Sequence, residues 1–272
     1  MYKRLLVAID GSPIAESILP YALGICRATQ TQLTLVRVVD GDDQRDQVSA
    51  DLIALASRFD AEGRCINADG DVAAALLKEA ARVPDTLIAM TTHGRSGVLG
   101  VVLGSIAMKV LRGGHGPVLL YRPHDAFAVD PAQPFKIERV VAAIDASPNA
   151  ESIGDDAGRL ARWLGARLVV ISVIDPRAMA STGAPSGDLS ESSQVRSRAT
   201  ALGKQYGVEF SWEVLHGNQP DKAIADFLGD DRSTVLAMVT RAQTAPVTAA
   251  LLGSVTTACL RRAGIPIFIR LP

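Results

Sequence analysis

The stretch LVAIDGSPIAES at residues 6–17 returns as VAAIDASPNAES at 141–152. Asp10 thereby pairs with Asp145, Ser12 with Ser147 and Glu16 with Glu151, each partner 135 residues further on. Repetition at a fixed spacing means one folding unit used twice. The next apolar run keeps step, since Val38-Val39-Asp40 precedes Val173-Ile174-Asp175 by the same 135 residues. Further on, the Leu-Gly-Ser of 103–105 recurs at 252–254, an offset of 149, so the second copy has gained 14 residues. The Pro-, Gly- and Ser-rich run PRAMASTGAPSGDLSESS at 176–193 has no apolar periodicity and is expected to hold most of that gain as a mobile loop. RPHDAFAVDPAQPF at 122–135, with three prolines, reads as an extended linker between domains 1–123 and 136–272.

Within each copy, short β-branched runs alternate with stretches of helical period, which predicts βαβ units around a parallel sheet covered on both faces. Strands are expected near 3–9, 33–39, 63–67, 86–91 and 117–121, then near 138–144, 167–174, 208–215, 234–239 and 266–270. Helices should begin near Pro13, Asp71 and Ser105, with another within 44–60. Ser12-Pro13 and Ser147-Pro148 place an N-cap hydroxyl before a proline at the first helical position. Gly113-Gly114 and Gly264 mark helix ends, and Pro117 and Pro266 open the last strands. Right-handed crossovers confine such a domain to doubly wound topologies, whose ligand crevice lies beyond the carboxyl ends of the strands.

Composition narrows the function. Of the 272 residues 48% are hydrophobic and 21% charged, which suits globular domains. Lys and Arg number 28 against 29 Asp and Glu, and a net charge of −1 argues against nucleic acid or an acidic membrane as partner. The three cysteines, Cys26, Cys65 and Cys259, form no C-x-x-C pair and read as small core fillers in a reducing cytoplasm. The apolar start MYKRLLVAID is too short for a signal h-region or a membrane span.

The chemistry is expected in TTHGRSGVLGVVLGSIAMKVL, Thr91 to Leu111, after the fourth strand. Gly94 and Gly97 keep Cβ atoms out of a turn where successive backbone N–H groups could converge on an anionic oxygen. Gly104-Ser105 then opens a helix whose unpaired N–H groups, dipole and Ser105 hydroxyl favour a second phosphate oxygen. The plainer reading is an ordinary loop ending a strand, and for Asp10 and Asp145 it is a turn residue ahead of a helix. His93 has no companion at metal-ligand spacing, so it is read as orienting the loop, with no metal site. His115, His124 and His216 are expected at the surface.

These motifs in this order, DGSP, then HGRSG, then the Gly-Ser helix start, resemble the universal stress protein family over nearly the whole chain, twice. The resemblance implies two tandem doubly wound five-stranded parallel-sheet α/β domains, Rossmann-like and similar to adenine nucleotide alpha hydrolases. It further implies that their last strands pair antiparallel as an internal pseudo-dimer. Nucleotide-binding members of the family carry G-x-x-G, nine residues, then G-[ST]. Gly94, nine residues, then Gly104-Ser105 satisfy all of it except the first glycine, which is Thr91 here. By the same likeness Asp10 would meet the ribose or metal-phosphate region and the Val38 main chain the adenine edge, with Thr91, His93, Gly94, Arg95, Ser96, Gly97, Gly104 and Ser105 around the phosphates. The ligand implied is ATP or another adenine nucleotide, with Mg shielding its phosphates, bound mainly by the first domain. In the second copy, counting back from Gly253-Ser254 places Gln243 opposite Gly94, Thr240 opposite Thr91 and Pro246 opposite Gly97, which serves a phosphate nest poorly.

No Ser/His/Asp order, Walker A sequence or G-x-G-x-x-G after the first strand is present, so the chain is read as a cytoplasmic binding protein with no catalytic residue assigned. Slow ATP hydrolysis or self-phosphorylation stays open. A response-regulator receiver would need an acidic pair and a downstream lysine that are missing. The remaining alternative is a nucleotide-free dimerisation or scaffold module. A homodimer and a protein partner complete the expectation.

Overall fold

The computed structural model describes residues 1–41, 45–92, 103–114, 116–123, 130–145, 150–175, 187–240 and 252–271. The chain divides into two compact units, residues 1–136 and 137–270.

In the first unit β1 (Arg4–Ala8), β2 (Gln32–Val39), β3 (Glu62–Asn67), β4 (Thr86–Thr91) and β5 (Val118–Tyr121) form a parallel sheet in the order β3-β2-β1-β4-β5. Arg4 on the central strand stands level with Gln32 on one side and Thr86 on the other. Leu5, Leu6 and Val7 are fully buried, as expected for a strand with helices on both faces. Its helices are α1 (Pro13–Glu16), α2 (Leu19–Thr29), α3 (Arg45–Ser57), α4 (Val72–Ala81) and α5 (Ser105–Gly113).

In the second unit β6 (Arg139–Ala143), β7 (Arg167–Ile174), β8 (Phe210–His216), β9 (Thr234–Val239) and β10 (Ile267–Arg270) repeat the pattern in the order β10-β9-β6-β7-β8, all parallel. Here Arg139 is level with Arg167 and Thr234, as Arg4 is with its neighbours. The described helices are α6 (Ala150–Leu164), α7 (Gly187–Tyr206), α8 (Pro220–Leu228) and α9 (Ser254–Arg262).

The first helical segment breaks in one copy only. Ser12 caps α1 by accepting from the Ala15 N–H at 3.2 Å, but the helix stops at Glu16 and α2 starts afresh at Leu19. Pro20 sits in the first turn of α2, where its missing N–H would otherwise break an ongoing ladder. Its counterpart 135 residues on is Asp155, and α6 runs through without a break. The Ser147-Pro148 start lies outside the described residues.

The expected loop at 176–193 is corrected at its end, because residues 187–193 already belong to α7. Val195, Ala199, Leu202 and Tyr206 form the buried stripe that anchors this helix. Extending a helix beyond such an anchor requires little, so the polar GDLSESS run takes the conformation its own pattern does not announce. The cysteine reading is also refined. Cys259 is buried, whereas Cys26 and Cys65 are only half-buried. Burial pushes the Cys26 and Cys259 thiols up to about 12.

One end of the 122–135 segment is fastened to the first unit. Phe135 donates its N–H to the Pro20 carbonyl at 2.9 Å, and its ring stands 4.9 Å from that of Tyr21. Gly24 makes room for this, since a Cβ there would lie 1.8 Å from the Phe135 carbonyl oxygen. Among the described residues no helix is long and apolar enough to cross a membrane.

Candidate nucleotide cleft and its counterpart

The strand order reverses direction between β1 and β4, and a doubly wound sheet opens a crevice at that switch. A cleft of about 240 Å³ lies there. Its lining joins Asp10, Val38, Thr91, Gly104 and Ser105, which the sequence reading had placed in one site although they span some ninety residues. His93, Gly94, Arg95, Ser96 and Gly97 lie outside the described residues.

Each side chain is positioned by local structure. Asp10 follows β1, and its Oδ1 accepts the Ser12 N–H at 2.9 Å, closing the turn that Ser12 then converts into a helix start. The turn requires Gly11 at φ +77°. A Cβ at Gly11 would also lie 2.7 Å from the Arg37 guanidinium, so that cation rests directly on the turn. Glu16 lies in the same charged neighbourhood. Burial pushes its carboxyl above the ordinary value, Arg58 opposes this, Asp10 adds to it and Arg37 opposes it.

Val36 and Val38 alternate along β2 to present one face to the cleft, and Met90 and Thr91 end β4 beside them. Thr91 is 5% exposed, so the residue at the first motif position is packed into the wall. Thr92 continues the sheet by donating its N–H to the Tyr121 carbonyl, and its own carbonyl accepts the Gly104 N–H at 2.8 Å. That bond fixes where α5 begins. Gly104 is the N-cap of α5 and supplies no side chain to the first-turn N–H groups, whereas α1 is capped by Ser12 and α4 by Asp71. An uncapped start facing a cleft suits an anionic ligand.

Sequence reasoning missed the apolar wall formed by Val72 and Leu76 of α4 and Ile106 of α5. The helical period of 72–81 carried that signal. It also missed Arg37, for which the sequence offers no sign, because the contact exists only once the glycine turn has folded.

The second unit has a cleft at the matching switch between β6 and β9, about 320 Å³ and lined by Asp145, Val173, Met238, Gly253 and Ser254 among others. The alignment made by counting back from Gly253 needs correction here. Arg4 lies level with Thr86 and Arg139 with Thr234, so the strands match at an offset of 148. Thr92 donates its N–H to Tyr121 and Thr240 donates to Arg270, the same place in each ladder. Thr240 therefore corresponds to Thr92, and the partner of Thr91 is Val239. The connection that follows is one residue longer in the second copy, which counting back from its far end could not reveal. The Thr240 Oγ1 accepts the Gly253 N–H at 3.0 Å, the bond a main-chain carbonyl makes in the first unit. Gln243 and Pro246 lie outside the described residues. His216, last in β8, is exposed as expected, while His115 and His124 are outside the described set.

The family model described as universal stress protein family matches residues 1–122 and again 136–269. No curated protein matches the chain. Among solved structures, a universal stress protein from Archaeoglobus fulgidus DSM 4304 is 20% identical, with 100% of this chain and 99% of that one covered and a TM-score of 0.70. A functionally unknown protein from Pseudomonas aeruginosa PAO1 is 19% identical, with 100% and 93% covered and a TM-score of 0.66. A universal stress protein in complex with cAMP is 21% identical over 49% of this chain and 96% of that one, with a TM-score of 0.37. With one family pattern filling both halves, and the two-copy architecture that its repeats imply, the chain belongs to the universal stress protein family.

Proposed function

We propose that the first unit binds ATP or a related adenine nucleotide, and that occupancy biases the protein between conformations that a protein partner distinguishes. The observation that carries this reading is the convergence of Asp10, Val38, Thr91, Gly104 and Ser105 on one cleft at the uncapped start of α5. The base would lie along Val38, the ribose hydroxyls would donate to Asp10, and the phosphates would run toward the N–H groups and Ser105 hydroxyl of α5. Magnesium, when bound with the nucleotide, would neutralise phosphate charge beside Asp10. A nucleotide shifts such an equilibrium only by binding one conformation better than the other.

The buried Thr91 favours a second reading, a nucleotide-free scaffold acting through protein contacts, because a β-branched side chain occupies the place of the first motif glycine. Calorimetric titration with ATP separates the two. Under the nucleotide reading, wild type binds and Gly104→Val does not. A Cβ at Gly104 would already lie 3.0 Å from the Thr92 carbonyl oxygen, so a branched side chain there crowds the uncapped start of α5 that the phosphates would approach. Absence of heat with wild type at millimolar ATP, or equal binding by Gly104→Val, would exclude this site.

A further inference from the structure

The segment that ends at Phe135 has a seat on α2 that the second unit does not repeat. Phe135 donates its N–H to the Pro20 carbonyl at 2.9 Å, and its ring packs 4.9 Å from that of Tyr21 with the planes tilted by 60°. The three atoms nearest to a Cβ built on Gly24 all belong to the Phe135 main chain, the carbonyl oxygen at 1.8 Å, so one methyl group is enough to close the seat. At the matching places in α6 stand Asp155, Asp156 and Arg159, all charged. That helix covers its sheet without any of the three residues, so the seat is an addition to the fold and not a requirement of it.

From this seat a line of contacts reaches the start of α5. The fully buried Tyr21 ring also packs against that of Tyr121, 5.0 Å away. Tyr121 ends β5 as the ladder partner of Thr91. Its carbonyl accepts the Thr92 N–H at 2.9 Å, and the Thr92 carbonyl accepts the Gly104 N–H at 2.8 Å, at the N-cap of α5. Three rings and two main-chain hydrogen bonds thus join Phe135 to α5. Close-packed side chains pass a displacement on instead of absorbing it. When Phe135 leaves, Tyr21 loses a ring partner, the Tyr121 ring resettles against it, and the acceptor that places Gly104 moves. In the second unit the line is cut, since Asp156 and Arg270 replace the tyrosines and Gly253 donates to the Thr240 hydroxyl instead of a carbonyl.

We infer that the docking of Phe135 on α2 and the placement of the α5 start are one coupled equilibrium, which makes the segment a strap that tightens when the first cleft is filled. Seated Phe135 holds Gly104 in place, and a ligand at the α5 start favours the same arrangement. Such coupling is reciprocal, each event favouring the other by the same factor. The link from Phe135 to Gly104 stands on the contacts described, and its response to nucleotide rests on the reading of the first cleft given above.

The test is amide hydrogen exchange read by NMR on the full chain, with calorimetric ATP titration beside it. Gly24→Ala excludes the strap while putting a better helix former into α2, and Phe135→Ala removes the ring alone. Without nucleotide, exchange at the Gly104 N–H should rise about fivefold in both variants. Exchange at the Ala61 N–H, bonded to Ala56 beside the edge strand β3, should stay within about twofold. ATP should bind both variants about fivefold more weakly than wild type, and in wild type it should slow exchange at the Phe135 N–H by the same factor. Unchanged Gly104 exchange in both variants would overturn the inference, as would an acceleration shared equally by Ala61, which marks general loosening. If ATP binds wild type and both variants alike, the coupling falls and the nucleotide reading stands. If wild type binds no ATP while Gly104 still responds, the nucleotide reading falls and the link from Phe135 to α5 stands.

Discussion

Replacing Arg270 with alanine, alone and within a designed pair, examines how the two copies solve one packing problem by different means. Tyr21 of α2 and Tyr121 of β5 pack together in the first unit with ring centroids 5.0 Å apart and ring planes tilted by 58°. Their counterparts are Asp156 of α6 and Arg270 of β10, joined at 2.7 Å with side chains 6% and 37% exposed. Removing one partner of a fully buried ion pair costs about 3–5 kcal/mol, because the other charge is left without compensation. Arg270 is over a third exposed and Arg159 stands 3.8 Å from Asp156, so water and a second cation recover part of that. The expected loss for Arg270→Ala is therefore about 2 kcal/mol. For a unit of this size that lowers the midpoint by about 6 °C. The double variant Asp156→Tyr with Arg270→Tyr installs the aromatic solution of the first unit and should return to within about 1 kcal/mol of wild type, since well-packed apolar replacements of buried pairs are often neutral or stabilising. Differential scanning calorimetry of the full chain reads both. A shift below about 1 °C for Arg270→Ala, or a double variant less stable than the single one, would refute the reasoning.

Other perturbations follow from single contacts. Ser12→Ala removes the hydroxyl that accepts the Ala15 N–H, and urea unfolding should show a loss of about 1 kcal/mol. Glu79→Gln takes the charge from a carboxylate 3.2 Å from the Arg4 guanidinium, both 3% exposed or less, with Arg64 and Arg82 also facing it. Leaving three cations around a neutral amide should cost about 3 kcal/mol, read by the same unfolding assay. The Asp71 carboxyl is held below its ordinary value by the Ala74 N–H first and then by Lys109. Its folded value lies below the unfolded 3.8, so its contribution is present above that pH and fades as pH falls through the lowered value. The stability gap between wild type and Asp71→Ala should therefore be open at pH 6 and close in strong acid, and a gap widening toward low pH would contradict the assignment.

Much of the fold was legible because parallel strands covered on both faces read as unbroken apolar runs. LLVA and LVVIS announce β1 and β7 without any alternation to interpret. That Asp10, Val38, Thr91, Gly104 and Ser105 share one cleft was legible for a different reason: a doubly wound sheet gathers the carboxyl ends of its central strands at the switch point, whatever their separation in sequence. What escaped depends on contacts between distant segments. Pro20 splits one helix and not its copy, which only comparison of α2 with α6 makes plain. The GDLSESS run was misread because its helix is anchored by Val195 and the residues beyond it, outside the run itself. Thr240 was misaligned because an added residue in a connection leaves no mark at either end, and the ladder bond to Arg270 was needed to locate it. Arg37 and the Asp156–Arg270 pair left no local pattern at all.

Duplication makes the chain its own control for which parts of the unit are interchangeable. At the amino end of the central strands, Arg4 donates to Thr86 Oγ1 and Arg139 to Thr234 Oγ1. The neutralising carboxylate, however, comes from Glu79 of α4 in one copy and from Asp231, beyond α8, in the other. Phe227 stands in the sequence place of Glu79, with the Arg139 guanidinium 5.7 Å from its ring. A buried cation needs a countercharge and hydrogen-bond acceptors, and several arrangements meet that need. The frame has accordingly drifted, from aromatic pair to ion pair at one end and from one carboxylate to another at the opposite end. The cleft linings have varied less, with Ile9, Asp10, Val38 and Met90 of the first matched by Ile144, Asp145, Val173 and Met238 of the second, and with an uncapped Gly-Ser helix start kept in both.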